Sequence, residues 1–192
     1  MLRAAGYEVR TYPSAGDFLV EAPVARPGCL LLDIRMPGPT GFELQAALAT
    51  GEDPLPVIFL TGRGDVAGSV RAMKAGAVDF LMKPAKRDTL LAAIGAALAG
   101  DEERRAGRAE LRSLLARYAA LSPRDREILR HVVAGRLNKQ IASAVGVSER
   151  TVKSHRAHIM ETMQVSSVAD LVRAADRLSP RGPELEAPLA SH

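Results

Sequence analysis

Cysteine is nearly absent from this chain, since Cys29 is the single thiol among 192 residues. One cysteine cannot form an intramolecular disulfide, so a secreted scaffold held together by disulfides is excluded. Cys29 also lies inside an apolar run. This cysteine usage fits a reducing compartment, and we expect the protein to work in the cytoplasm.

Long hydrophobic runs are also missing. The longest apolar run, Leu90–Ala99, is well short of the roughly 20 residues that a membrane-spanning helix needs. Near the N-terminus, Gly6, Glu8 and Arg10 interrupt any signal-peptide core. The sequence therefore predicts a protein without a membrane partner or a secretion signal.

Three signatures of common enzymes are absent from the sequence. There is no glycine loop of the kind that cradles phosphates, no nucleophile elbow and no metal-ligand cluster. An enzyme is therefore the least favoured of the functions considered below.

Composition and charge indicate what the chain does contain. A hydrophobic content of 47% is enough for a packed core, and the length suits one or two domains. Residues 1–100 carry ten basic and ten acidic side chains, whereas residues 121–163 carry eight basic against four acidic, an excess equal to the net charge of the whole chain, +4. A basic helical segment favours a polyanionic partner, although a merely solvated helix face has the same composition.

The first hundred residues alternate short apolar runs with helical patterns. The predicted strands are Tyr7–Tyr12, Cys29–Asp33, Val57–Leu60 and Phe80–Met82. This alternation predicts parallel strands joined by right-handed crossovers, which is a doubly wound α/β domain. Because the chain opens on the tail of a helix at Leu2–Ala5, we expect the sheet to lack its usual first, central strand.

Asp33 occupies the point where the second of these strands should end. Pro37, Gly38 and Pro39 then force the chain into a loop. The carboxyl ends of strands carry the chemistry in open α/β sheets, which favours a functional carboxylate. The alternative is structural, since Asp often opens a turn or caps the next helix.

Residues 121–178 show the signals of a small helical domain. Ser122 is a predicted N-cap with Pro123 at the first helical position, and Asn138 and Ser148 are the predicted caps of the next two helices. The preceding residues 100–120 are predicted to be a linker that is partly helical, and residues 179–192 a disordered tail.

A helix-turn-helix is indicated by a small residue, a glycine and a β-branched residue at suitable spacing, namely Ala142, Gly146 and Val152. The alternatives for the polar face of the third helix are a DNA-binding surface and a merely solvated face. The helix caps, the turn spacing and the local charge all favour DNA binding. The residues of that face are Arg150, Thr151, Lys153, Ser154, Ala157 and His158.

A fourth helix is predicted after Ser167. Its apolar stripe includes Leu171 and Val172 and is either core or a dimer contact.

Two sets of motifs resemble one family. Leu121-Ser-Pro-Arg, Asn138-Lys-Gln-Ile-Ala and Ser148-Glu-Arg-Thr-Val-Lys-Ser-His-Arg resemble the LuxR-type helix-turn-helix. Leu32-Asp33-Ile-Arg-Met-Pro-Gly, Leu60-Thr61-Gly-Arg-Gly-Asp, Ala72-Met-Lys-Ala-Gly-Ala-Val-Asp-Phe80 and Lys83-Pro84 resemble a flavodoxin-like receiver domain. Together they cover most of the chain, which resembles a two-component response regulator of the NarL/FixJ type, closest to the FixJ-like branch.

The resemblance assigns roles in the receiver, residues 1–99. It implies that Asp33 accepts a phosphoryl group from a sensor histidine kinase, that Lys83 neutralises the phosphoryl oxygens and that Thr61 hydrogen-bonds one of them. Phe80 is implied to be the aromatic switch residue, and the Lys83–Pro84 bond is implied to be cis.

The resemblance also assigns a DNA-binding surface and partners. Lys153, Ser154 and Ala157 fall where the family contacts bases. The full expected surface on duplex DNA is Asn138, Lys139, Ser148, Arg150, Thr151, Lys153, Ser154, Ala157 and His158. A homodimer is expected through the receiver, through the terminal helix at 167–178, or through both.

One departure concerns Mg²⁺. The family binds it beside the phosphoacceptor with a pair of acidic residues at the end of the first strand, with Asp33 and the Arg35 carbonyl as the corresponding ligands here. No residue before Asp33 matches that pair, since Glu8, Asp17 and Glu21 fall elsewhere. We therefore expect a receiver that is incomplete at its N-terminus and binds Mg²⁺ weakly or not at all.

These observations rank the functions. The leading hypothesis is a DNA-binding transcriptional response regulator in which phosphorylation of Asp33 controls DNA binding or dimerisation. The alternative is a regulator that binds DNA independently of phosphate and whose degenerate receiver is only a protein-interaction module. An enzyme built around the carboxylate at the sheet edge comes third.

Overall fold

The computed structural model describes residues 1–21, 27–51, 53–62 and 66–178. The chain divides into two compact units, Met1–Ala106 and a second that begins at Gly107. Within the described ranges, no helix combines the length and apolarity needed to cross a membrane.

Three parallel strands form the sheet of the N-terminal unit. Strands β1 (Leu30–Asp33), β2 (Val57–Thr61) and β3 (Asp79–Met82) lie side by side in that order. Apart from polar residues at their ends, the strands are apolar because both faces of the sheet are covered. Ile58 faces one hydrophobic cluster and Phe59 the other, and both side chains are fully buried. The predicted doubly wound architecture is therefore confirmed.

Helices cover the two faces of this sheet. The Phe59 side is covered by α1 (Ala15–Glu21), α2 (Gly41–Ala49) and α3 (Val66–Lys74). The Ile58 side is covered by the first turns of α4 (Arg87–Ala120). Each helix presents its apolar stripe to the sheet, as the 3.6-residue period of its sequence predicts.

The segment Tyr7–Tyr12 was predicted to be a strand and is not one. Its side chains do alternate in exposure from Tyr7 to Arg10, but among the described residues no neighbouring strand pairs with it. A β-strand requires a ladder of hydrogen bonds to a neighbour, and alternation alone does not supply one. What precedes it is a short 3-10 helix, Arg3–Ala5, rather than an α-helix.

The predicted linker also differs. Residues 100–120 lie wholly within α4, which continues without a break for 34 residues. The segment is rich in Ala, Leu, Arg and Glu and contains no proline, so its strong helix formers outweigh Gly100 and Gly107. Its start is not solvated either, because the carboxylate of Asp101 is fully buried and accepts hydrogen bonds from the Gly28 backbone N–H and from Arg105. The predicted tail, 179–192, lies outside the described residues.

The C-terminal unit packs four further helices around one core. They are α5 (Pro123–Val133), α6 (Asn138–Val145), α7 (Glu149–Thr162) and α8 (Val168–Leu178). Gly146 ends α6 in the left-handed conformation at φ 68°, which gives the tight turn of a helix-turn-helix. The largest fully buried core side chains include Ile128, Leu129, Ile141, Val152, Ile159 and Met163.

Two of the three predicted caps are correct. The side chains of Ser122 and Ser148 accept hydrogen bonds from the backbone N–H groups of Asp125 and Thr151. Asn138, however, is the first residue of α6 rather than its cap. The backbone N–H of Leu137, one residue earlier, is instead satisfied by the side-chain oxygen of Gln140 at 2.8 Å.

Candidate functional sites

Asp33, Thr61 and Lys83 meet at the carboxyl edge of the sheet. Parallel strands end at the same edge, so β1, β2 and β3 deliver these residues to one place. The ammonium of Lys83 donates to the Asp33 carboxylate at 2.6 Å, and the Lys83 backbone N–H donates to the Thr61 carbonyl at 2.7 Å. The Lys83–Pro84 peptide bond is cis, as the sequence resemblance implied.

The carboxylate of Asp33 is ionised over a wide pH range. Partial burial opposes its charge, but hydrogen bonds from Lys83 and from the Arg35 backbone N–H, together with the charge of Lys83, outweigh that burial and lower the pKa. The half-exposed pair remains open to solvent at this edge. An ionised carboxylate can act as a nucleophile. The ammonium beside it can then neutralise the negative charge of a group that becomes attached to the carboxylate.

Thr61 is mostly buried within this site, and one further predicted residue, Phe80, lies beside it. Thr61 is only 7% exposed at the end of β2. Phe80 is half-buried on β3, with its ring centroid 6.1 Å from that of Phe59 in the core. Phe80 therefore packs on the core side of the sheet edge in this structure.

Helix α2 begins against the back of the Asp33 strand, a contact that the sequence analysis missed. The backbone N–H of Gly41 donates to the Ile34 carbonyl at 3.1 Å. A Cβ at position 41 would lie 2.4 Å from the Asp33 carbonyl oxygen and 2.9 Å from the Phe59 ring. Only glycine allows this approach. The signal available in the sequence was a glycine at the first position of a helix, directly after the predicted loop.

The resemblance to a receiver domain implies Mg²⁺ beside the phosphoacceptor aspartate. In this chain the candidate donors are the Asp33 carboxylate and the Arg35 carbonyl. Across the described ranges, no three Asp, Glu, His or Cys side chains come together in a way that could hold a metal ion. Since Mg²⁺ prefers octahedral oxygen coordination that includes carboxylates, these donors do not by themselves fit a resident Mg²⁺.

One face of α7 presents a stripe to solvent. Side chains three and four residues apart share a helix face, and five of the predicted DNA-binding residues form such a series. All five are exposed, namely Arg150, Lys153, Ser154, Ala157 and His158. The opposite face is core through Val152 and Ile159. The stripe is therefore set by the helix period and the buried side.

The remaining predicted DNA-binding residues lie around the start of α7. Lys139 is exposed near the N-terminus of α6, and the side-chain oxygen of Asn138 accepts a hydrogen bond from Arg156 on α7 at 3.0 Å. The hydroxyls of Ser148 and Thr151 lie 2.8 Å apart at the N-cap. These two hydroxyls organise the start of the helix.

A buried network behind α7 was also missed by the sequence analysis. Asp125 on α5 accepts from the Ser122 hydroxyl and lies 2.7 Å from Nδ1 of His155 on α7. Burial opposes its ionisation, but the hydrogen bonds from Ser122 and His155 outweigh that effect and lower the pKa of Asp125. In the sequence, Asp125 is the third residue after Ser122, a position typical of helix capping, and nothing there indicates the contact with α7.

The predicted dimer stripe on α8 is mostly core. Leu171 is 1% exposed inside the hydrophobic cluster of the C-terminal unit, and Ala175 and Leu178 are buried beside it. Val172 is half-buried, whereas Val168 is 42% exposed. Leu171 therefore cannot serve as a dimer contact without leaving the core.

Comparison with known families identifies both units. The family model "Response regulator receiver domain" matches residues 1–95, and "Bacterial regulatory proteins, luxR family" matches residues 119–175. The chain belongs to the two-component response regulators that join a receiver to a LuxR-type helix-turn-helix, and it is a transcriptional regulator of that kind.

Individual relatives agree over nearly the whole chain. Response regulator protein TmoT of Ectopseudomonas mendocina is 42% identical over 178 residues, which are 93% of this chain and 81% of that protein. Transcriptional regulatory protein FixJ of Bradyrhizobium diazoefficiens is 41% identical over 177 residues, 92% of this chain and 86% of FixJ. The solved structure of response regulator StyR matches with a TM-score of 0.84 and 43% identity, covering 92% of this chain and 89% of that one.

Proposed function

We propose that Asp33 is the phosphoacceptor of this regulator. A carboxylate oxygen of Asp33 attacks the phosphorus of a phosphohistidine on a sensor kinase, the P–N bond breaks, and the phosphoryl group remains on Asp33 as an acyl phosphate while the histidine takes up a proton. The observation that carries this proposal is the 2.6 Å contact between Lys83 and the carboxylate. The ammonium is already where the new charge develops, and we assign the hydrogen bond to a phosphoryl oxygen to Thr61, which ends the neighbouring strand β2.

We propose that the exposed stripe of α7 enters the major groove of duplex DNA. Lys153, Ser154 and Ala157 face the bases, while Arg150 and His158 flank them. Lys139, Asn138, Ser148 and Thr151 surround the start of the helix, where hydroxyl, amide and ammonium groups suit backbone phosphates. The excess of basic residues in this segment supports the same partner.

Phosphorylation of Asp33 is proposed to control DNA binding through dimerisation. A homodimer places two recognition helices on two half-sites about one helical turn apart. The exposed side of α8 around Val168 and the surface of the receiver are the candidate contacts. On this proposal the protein is a regulator rather than an enzyme, and it works in the cytoplasm, where its DNA and kinase are.

One observation favours a second candidate, in which the receiver is only a protein-interaction module. In the part of the chain that the structure describes, Asp33 has no group of acidic neighbours able to share a divalent cation. In-line phosphoryl transfer relies on such a cation to neutralise the developing charge. DNA binding is then independent of phosphate.

Labelling at Asp33 separates the two candidates. When the full chain is incubated with a radiolabelled small acyl phosphate in buffer containing Mg²⁺, we expect weak label in the wild type, because the donors present bind Mg²⁺ poorly, and only background in Asp33→Asn. Lys83→Ala is expected to reduce the label strongly, because it removes the cation that faces the phosphoryl oxygens.

Asp88→Asn is the matched control, since it makes the same change at an exposed aspartate in the first turn of α4. It should be labelled like the wild type. Wild-type label no higher than that of Asp33→Asn, with DNA binding intact, would contradict the phosphoacceptor assignment and favour the interaction module.

Lys153→Ala tests the DNA-binding assignment. We expect binding to a duplex that the wild type has selected from a random-sequence pool to weaken by about 1–3 kcal/mol, because one close base or phosphate contact is lost. The affinity of the wild type should fall steeply with salt as counterions are released. Lys74→Ala on α3 removes a lysine from the receiver and should bind like the wild type. Equal affinities of Lys153→Ala and Lys74→Ala would place the DNA surface elsewhere.

A further inference from the structure

Asp125 is a buried carboxylate whose two oxygens are both engaged. It is 4% exposed in the first turn of α5. One oxygen accepts from the Ser122 hydroxyl that caps the helix, and the other lies 2.7 Å from Nδ1 of His155 on α7. A second histidine of α7, His158, comes within 3.9 Å with its Nε2. A cap alone needs only the contact with Ser122, so the link to α7 calls for its own explanation.

His155 lies on the flank of α7. The buried stripe of the helix runs through Val152 and Ile159, and the exposed stripe runs through Ser154 and His158. Apolar packing is non-directional, so it constrains the rotation of a helix about its axis less sharply than a directional contact does. A hydrogen bond at the flank is directional and does fix that rotation.

A second hydrogen bond ties α7 to α6. Arg156, the residue after His155, donates to the side-chain oxygen of Asn138 at 3.0 Å. Helix α7 is thus tied to α5 through His155 and to α6 through Arg156. Rotation matters because a side-chain tip about 6 Å from the axis moves about 1 Å for a 10° turn. A shift of that size takes a base contact outside the normal hydrogen-bond range.

We propose that Asp125 is a positioning residue for DNA recognition. Through His155 it sets the rotation of α7 about its own axis, so that Lys153, Ser154 and Ala157 meet the bases in register. This inference rests on the proposed DNA-binding face of α7. Asp125 itself is shielded from solvent and acts through the helix.

For Asp125→Ala, the proposal and simple electrostatics predict opposite effects on sequence-specific DNA binding. Asp125→Ala removes a negative charge from a DNA-binding unit, so charge alone would tighten binding to any duplex. Loss of rotational control weakens only sequence-specific binding. We expect Asp125→Ala in the full chain to lower the ratio of affinities for a wild-type-selected duplex over a scrambled duplex at least tenfold, while affinity for the scrambled duplex is unchanged or slightly higher.

A same-charge variant serves as rescue. Asp125→Asn carries the same net charge as Asp125→Ala but keeps one oxygen that can accept from His155, while its amide NH2 can donate to the Ser122 hydroxyl, so it should recover most of the specificity ratio. Asp176→Ala removes an exposed acid from α8 and should leave the ratio unchanged. Should Asp125→Ala fail to fold, His155→Ala gives the same test, because it leaves the Ser122–Asp125 cap in place.

The outcomes separate the possible explanations. An unchanged specificity ratio in both Asp125→Ala and His155→Ala would overturn the positioning role. Equal loss of affinity for both duplexes would also overturn it, since that pattern marks general damage to the fold. If the wild type selects no duplex at all, the proposed DNA-binding function itself fails, and Lys153→Ala then has no effect either.

Discussion

Replacing Leu171 by aspartate should unfold the C-terminal unit. Leu171 is 1% exposed within the cluster formed by α5 to α8 and the end of α4. Removing a buried leucine side chain costs about 2–5 kcal/mol, and an unpaired carboxylate in its place adds a desolvation cost. Because whole domains are stable by only about 5–15 kcal/mol, most of the stability of this unit is lost. Circular dichroism during urea denaturation should show loss of the transition of this unit.

Val168→Asp is the matched control on the same helix. Val168 is 42% exposed in the first turn of α8, where an acidic residue is favoured by the helix dipole. This variant should fold like the wild type. If instead Leu171→Asp keeps the wild-type transition and weakens only binding to a duplex with two half-sites, then Leu171 is a dimer contact and its burial does not matter for folding.

The case of α8 shows where sequence periodicity stops being informative. A stripe through Leu171, Val172 and Ala175 predicts an amphipathic helix correctly, but core packing and dimer contacts have the same period. Only the position of the neighbouring helices decides between them. In the structure these helices bury Leu171 and leave Val168 exposed.

The edge of the receiver sheet was easier to predict. Asp33, Thr61 and Lys83 each follow an apolar run, and parallel strands end at the same edge, which agrees with the proximity that the family resemblance implied. The strand predicted at Tyr7–Tyr12 is wrong. Its sequence alternation reflects side-chain exposure, whereas a strand requires a hydrogen-bonded neighbour, and the described residues provide none.

The contact between Asp125 and His155 could not be predicted in this way. The two residues are 30 positions apart on separate helices. Their meeting depends on the crossing of α5 and α7, which no local pattern encodes. The position of Asp125 three residues after Ser122 is typical of helix capping, and capping alone does not require the contact with His155.

Gly41→Ala should destabilise the receiver around Asp33. The added Cβ would lie 2.4 Å from the Asp33 carbonyl oxygen and 2.9 Å from the Phe59 ring. The first of these atoms is backbone, so α2 must move away from β1. Overpacking of this kind costs about 1–3 kcal/mol. Hydrogen exchange of the β1 and β2 amides should speed up correspondingly, and labelling of Asp33 should fall because the end of β1 that carries the carboxylate moves.

Gly95→Ala in α4 makes the same chemical change in open space. Nothing lies within 4 Å of a Cβ at position 95, and the residue is inside a helix. There, alanine should stabilise the helix by about 0.5–1 kcal/mol relative to glycine. Opposite signs for the two substitutions would show that the requirement at position 41 is the close approach of α2 to the phosphoacceptor strand. Equal protection of β1 in both variants would mean that α2 can shift without disturbing Asp33, and the tight contact at Gly41 would then have no part in holding the site.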